Sequence, residues 1–231
     1  MFQQILFTQW KSVRSGMIPM AIASFGLPLL AVQDLALPGD LAAGAPLRAI
    51  QAEFIFESWQ IWLPFFPVLA AILGSIFAIN AWSGDHTAGH VYALALPLPR
   101  WKYVLWKMGA GTLLLLIPVA FLSVGSIVAV GSFDLAEGLH AYPLLFTQRF
   151  LMASLLAYAA LFAMASGTVR TSVIVMSVGL TVLFGGQFLT FYMSEMLPAF
   201  DWQLFDWVER VMVEWPGPLE VYFGNWNLID V

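Results

Sequence analysis

Apolar residues along the chain cluster into long runs separated by short polar connectors, with none of the alternation that marks half-buried strands. Such runs match the roughly 20 apolar residues that a bilayer-spanning helix needs. Residues 1–15 are the exception. Phe2, Ile5, Leu6, Gln9, Trp10 and Val13 recur at helical spacing beside Lys11 and Arg14, which predicts a basic amphipathic helix lying at the membrane interface. A first span is expected over 16–32, with Pro19 and Pro28 inside it. A cleavable signal peptide is the competing reading, but the apolar stretch is long and no tidy cleavage site follows it.

The next segment, 33–59, is acidic and broken by Pro38, Gly39, Gly44 and Pro46, so a loop is expected, with a short surface helix over 47–59. Further spans are expected over 60–81, 108–131, 144–166 and 173–192, separated by a connector at 82–107 and a turn at 167–172. Gly179, Gly185 and Gly186 in the last of these would let helices approach closely. Beyond Met193 the chain is acidic and carries Trp202, Trp207, Trp215 and Trp226, an aromatic tail suited to the membrane–water interface. The expected fold is an all-α membrane protein: a polytopic helical bundle of about five transmembrane helices plus an N-terminal interfacial helix, forming a single domain over 1–231.

Composition strengthens this picture. Hydrophobic residues make up 61% and charged residues 10%, and the mean hydropathy is +0.84; a soluble domain averages about 25% charged. The net charge of −5 matters less than its distribution. Lys11, Arg14, Arg100, Lys102, Lys107 and Arg170 fall on one side of the expected topology, while the acids other than Asp85 fall on the other. The positive-inside tendency then puts the amino end in the cytoplasm and the carboxyl end outside. The absence of cysteine excludes disulfides and thiolate chemistry.

Several chemistries find no support. No GxxxxGK[ST] phosphate loop occurs, and Ser166-Gly167-Thr168 reads as a helix-end turn, so an enzyme is not expected. An acidic, membrane-bound chain is a poor partner for nucleic acid. His86 and His90 are four apart but lack a suitable third ligand, which favours polar surface histidines over a metal site. No cofactor is expected. Arg149, near the outer end of a span, is expected to pair with Asp134 or Glu137, or to snorkel to the interface; gripping an anionic substrate is the less favoured role. Without another ionisable residue at mid-membrane depth, an ion-coupled carrier is disfavoured.

The connector carries an ordered pattern: Asp85, then Gly89, then Pro97-x-x-Arg100, then Lys107. Between these, Val91, Tyr92, Leu94, Ala95 and Leu96 could form an apolar helical face able to sit in a partner's groove. Pro97 and Pro99 would end that helix. On charge alone, basic residues flanking a span are unremarkable. The ordered pattern, however, resembles the cytoplasmic loop of ABC-2 type transporter permeases, in which an acid, a Gly-Thr pair and a Pro-x-x-Arg lead into the third span. His90 stands here where that family has Thr, Asp85 where Glu is more usual, and the family commonly has six spans. The resemblance implies an inner-membrane permease subunit of an ABC exporter, driven by a separate ABC ATPase subunit and paired with a second permease subunit among membrane lipids. It also implies that Asp85, Gly89, Tyr92, Leu94, Pro97, Arg100 and Lys107 couple the chain to that ATPase. The alternative is a non-transporting scaffold or assembly protein that binds a partner through its acidic, Trp-rich tail.

Overall fold

The computed structural model describes residues 1–33, 59, 61–87, 99–132, 139–167, 170, 173, 174, 177, 210, 211, 214 and 217–230. Among them, four helices are long and apolar enough to cross a membrane. They are α1 (Phe2–Gln33), α2 (Phe65–Thr87), α3 (Arg100–Gly131) and α4 (Pro143–Ala165). A four-residue helix, α5 (Glu220–Phe223), follows near the end of the chain. Two short strands, β1 (His140–Ala141) and β2 (Ile229–Asp230), pair antiparallel. Most of the expected span at 173–192 and most of the tail lie outside the described residues.

The boundary expected between an interfacial helix and a first span, at residues 15–16, falls inside one helix. α1 is continuous through residues 15 and 16 and contains both Pro19 and Pro28. At 1.5 Å per residue its 32 residues extend about 48 Å, against a hydrocarbon core of about 30 Å. The connector is likewise shorter than its polar composition suggests. α2 runs on to Thr87 and α3 starts at Arg100, so Asp85 and Lys107 both sit on helices.

α1 packs along α3, and α2 along α4, with α3 also meeting α4. Small residues set how closely these helices approach. A Cβ at Gly125 would run into the Phe25 backbone of α1, and one at Gly74 would meet Ser154 O, Ala157 Cβ and Tyr158 N of α4. Gly111 gives way to the Tyr158 hydroxyl, which donates to Met108 O at 3.0 Å. Serines inside the helices satisfy their hydroxyls locally: Ser75 donates to Ala71 O, Ser126 to Leu122 O and Ser154 to Phe150 O. Large apolar side chains such as Phe7, Ile18, Ile22, Val124 and Leu145 remain on the outer surface, as expected where lipid is the solvent.

One end of the molecule is closed by the last residues of the chain. Trp226 is fully buried, edge-on to Phe146 and Phe150, and its carbonyl accepts from Trp59 Nε1 at 3.0 Å. Leu228 and Ile229 are buried beside it, and Tyr142 N donates to Leu228 O at 2.9 Å. Trp226, expected among the aromatic residues of an interfacial tail, is packed inside the chain's own core. The strand pair His140↔Asp230 and Ala141↔Ile229 completes the closure.

Candidate functional site at the feet of the second and third helices

The opposite end gathers the start of α1, the end of α2, the start of α3 and the end of α4. α3 begins immediately after Pro99, whose carbonyl accepts from Lys102 N and Tyr103 N. Pro99 therefore opens a helix here, in keeping with its fixed backbone angle. From that start, Tyr103 and Lys107 fall four residues apart on one face, turned inward toward α2. On α2, Ala78, Ala81, Trp82 and Asp85 form the matching buried face.

Asp85 and Lys107 meet across this interface. Lys107 Nζ lies 2.5 Å from Asp85 Oδ2, and the two side chains are only 5% and 7% exposed. The Tyr103 hydroxyl donates to both carboxylate oxygens, at 3.1 and 3.0 Å. The Lys107 ammonium also sits 4.3 Å from the Trp82 ring centroid, a cation–π contact, while Trp82 packs on Phe162 of α4. Gln9 of α1 is buried and donates its amide to Lys107 O at 3.0 Å. A buried ion pair is costly to desolvate, and persists only where further hydrogen bonds satisfy both charges. Tyr103 and Trp82 supply those contacts.

Of the residues expected to couple to a partner, Asp85 and Lys107 are brought into direct contact with each other. Arg100 is exposed at the first turn of α3. Gly89, Tyr92, Leu94 and Pro97 lie outside the described residues, as does His90. His86 Nε2 lies 3.0 Å from Ala165 O, which joins the ends of α2 and α4. Tyr103 was not singled out from the sequence, and Gln9 entered only as one position of the expected amphipathic helix. For Tyr103 the signal was present in its spacing from Lys107; for Gln9 a polar residue in an amphipathic segment gives no hint of burial.

A cleft of about 540 Å³ opens beside the pair, between α1 and the feet of α2 and α3. Gln9, Asp85, Tyr103 and Lys107 lie along it, with Lys11 and Asn80 among its other lining residues. Ser12 donates to Asn80 Oδ1 at 3.0 Å across the gap.

At the far end Arg149 has a partner other than those expected. It pairs with Glu220 Oε1 at 2.8 Å and donates to the carbonyls of Glu220 and Val221 at 2.7 and 3.1 Å. Asp134 and Glu137 lie outside the described residues. A Cβ at Gly224 would collide with both partners of this pair. The Tyr222 hydroxyl donates to Ala153 O at 2.6 Å, and burial pushes its pKa up to about 12. No protein-family model matches the chain, and neither a curated protein nor a solved structure matches it significantly.

Proposed function

We propose that the chain is the permease subunit of an ABC-2 type exporter in the inner membrane, with its amino end cytoplasmic and its carboxyl end outside. Five spans would cross the bilayer, the fifth over 173–192. A separate ATP-hydrolysing subunit would dock on the connector between α2 and α3, and a second permease, identical or related, would complete the translocation path.

The observation that carries this reading is the Asp85–Lys107 pair with its Tyr103 and Trp82 supports. It ties together the two helices that bracket residues 88–99. A push on a connector whose two roots are free would be absorbed by local bending. With the roots tied, the same push moves α2 and α3 together, which is what a mechanically driven permease requires. The scaffold reading has less to rest on, because Trp226, Leu228 and Ile229 of the tail are buried against the chain's own helices.

The decisive experiment is affinity purification of the tagged chain from its native membrane in mild detergent. Recovery of a stoichiometric subunit with ATP-hydrolysing activity, lost when residues 89–97 are replaced by a flexible Gly-Ser linker, is the expected result. A folded, monodisperse chain that brings down no ATP-hydrolysing subunit would sink the proposal.

A further inference from the structure

The cleft between α1 and the feet of α2 and α3 holds a buried acceptor, the Gln9 amide oxygen, that neither the ion pair nor the connector uses. Its volume of about 540 Å³ falls within the range of small-molecule sites. Its floor sets the Gln9 and Asp85 acceptors beside the Tyr103 hydroxyl and the Lys107 ammonium. Gln9 is only 5% exposed, and its amide oxygen is buried without a hydrogen-bond donor, although its amide nitrogen is held by Lys107 O. Beside it, Asp85 Oδ1 accepts, among the described residues, from the Tyr103 hydroxyl alone. A buried acceptor left unmatched costs about 1–3 kcal/mol, so a donor brought by an occupant would be rewarded there. The rim carries a cation. Lys11 is exposed at the edge, and no carboxylate among the described residues pairs with it.

The surroundings specify the rest of the occupant. Trp10, Lys11, Arg14, Arg100, Trp101 and Lys102 gather at this end of the helices, which is the composition of a headgroup layer. Ile5 and Ala81 give the cleft an apolar wall. The occupant should therefore be an amphiphile with a hydrogen-bond-donating cation at its tip, an anion next to it, and an apolar body.

From the unmatched Gln9 carbonyl beside the Asp85–Lys107 pair, in a cleft with Lys11 at its rim, we infer that this cleft binds a phospholipid bearing a primary-amine headgroup. The ammonium reaches the Gln9 and Asp85 oxygens once the Gln9 amide turns toward the cleft. The phosphate meets Lys11, and the acyl chains leave along the outer face of α1. Phosphatidylcholine satisfies the phosphate contact but has no N–H to donate, so the site discriminates between two zwitterionic lipids of equal charge. This inference requires only that the helices cross a membrane, and it stands apart from the permease reading.

The test uses the full chain reconstituted in nanodiscs of phosphatidylcholine doped with phosphatidylethanolamine, with lipid retained after detergent extraction counted by native mass spectrometry. About tenfold enrichment of phosphatidylethanolamine over phosphatidylcholine is expected, the worth of one or two charge-assisted hydrogen bonds. Gln9→Leu should abolish the preference, and Lys11→Glu should reduce retention of both lipids. Val124→Ala, on the exposed surface farther along α3, should change neither. Circular dichroism and size-exclusion profiles establish that each variant is folded; should Gln9→Leu fail that check, Gln9→Glu, which adds a carboxylate, is expected to raise the preference. Equal retention of the two lipids by the parent chain would overturn the inference, as would an unchanged preference in folded Gln9 variants. Displacement of the lipid by millimolar soluble phosphoethanolamine would also overturn it, by identifying a soluble ligand as the occupant.

Discussion

Lys107 reaches 22 residues back along the chain to place its ammonium on the Asp85 carboxylate, within an interface where both side chains are almost wholly buried. The pair joins the two helices at the level where the polar connector leaves them. Its burial, and not its charge, sets what its loss should do.

Removing one partner strands the other charge. Asp85→Asn or Lys107→Met should each destabilise the chain by about 3–5 kcal/mol, whereas the double substitution should recover much of that loss. Thermal unfolding in detergent, followed by intrinsic fluorescence, measures both effects. A double variant that loses the sum of the two single losses would show that the pair is not energetically coupled.

Helix contact at Gly74 leaves no room for a methyl group. Gly74→Ala should cost about 1–3 kcal/mol, because Ser154 O and Tyr158 N belong to backbone that cannot swing aside. Gly26→Ala supplies the contrast. Nothing lies within 4 Å of its Cβ position, and an alanine in that helix interior should be neutral or stabilising by about 0.5–1 kcal/mol. The two melting temperatures should therefore move in opposite directions, or Gly74's alone should fall.

The docking of residues 217–230 depends on Arg149. Arg149→Ala removes the Glu220 ion pair and two carbonyl contacts, and should weaken the docked segment by about 1–3 kcal/mol. Gly224→Ala should act in the same direction by wedging the pair apart. Hydrogen exchange at Val221, Tyr222 and Leu228 should accelerate in both variants, with exchange in α3 unaltered.

Alkaline pH should loosen the same segment. The Tyr222 phenol is pushed up from 10.0 to about 12 by burial, so folding favours its protonated form. That contribution is complete below about pH 10 and is lost as pH rises through about 12. The difference between ultraviolet tyrosinate titrations of the parent and of Tyr222→Phe should show one group ionising near the upper value.

Under the proposed function, Arg100→Ala should lower transport and the stimulation of the partner's ATP hydrolysis without reducing membrane insertion. Arg100 is exposed at the first turn of α3 and holds no part of the buried interface. Undiminished coupling in that variant would remove Arg100 from the docking surface.

Much of the helical architecture was legible because lipid-facing and buried residues are both apolar, so a span announces itself by length alone. α3 and α4 contain the stretches expected from that signal. The helix ends were harder to read. Asp85, Lys107 and Arg100 count as polar connector in a hydropathy pattern, yet helices continue through them because the two charges neutralise each other inside the interface. The interfacial helix was expected to break from the first span at residues 15–16, but Ser15 and Gly16 lie within uninterrupted helix, and the two prolines farther on do not divide it either. The docked tail was not legible. Nothing local in the sequence around Trp226 distinguishes a tryptophan held by Phe146 and Phe150 from one resting among headgroups. Pairings such as Arg149 with Glu220, 71 residues apart, arise only from the folded arrangement.

The burial of Trp226 also sets an order of assembly. Its pocket is built from Trp59, Phe146 and Phe150, all made well before residues 217–230 leave the ribosome. Until that last segment reaches the same end of the helices, those rings face an unfilled hollow and the Tyr142 amide lacks its Leu228 acceptor. The helices can therefore insert one after another during synthesis, but this end of α4 is finished only once residues 217–230 have docked on it, which makes that docking a late step in folding.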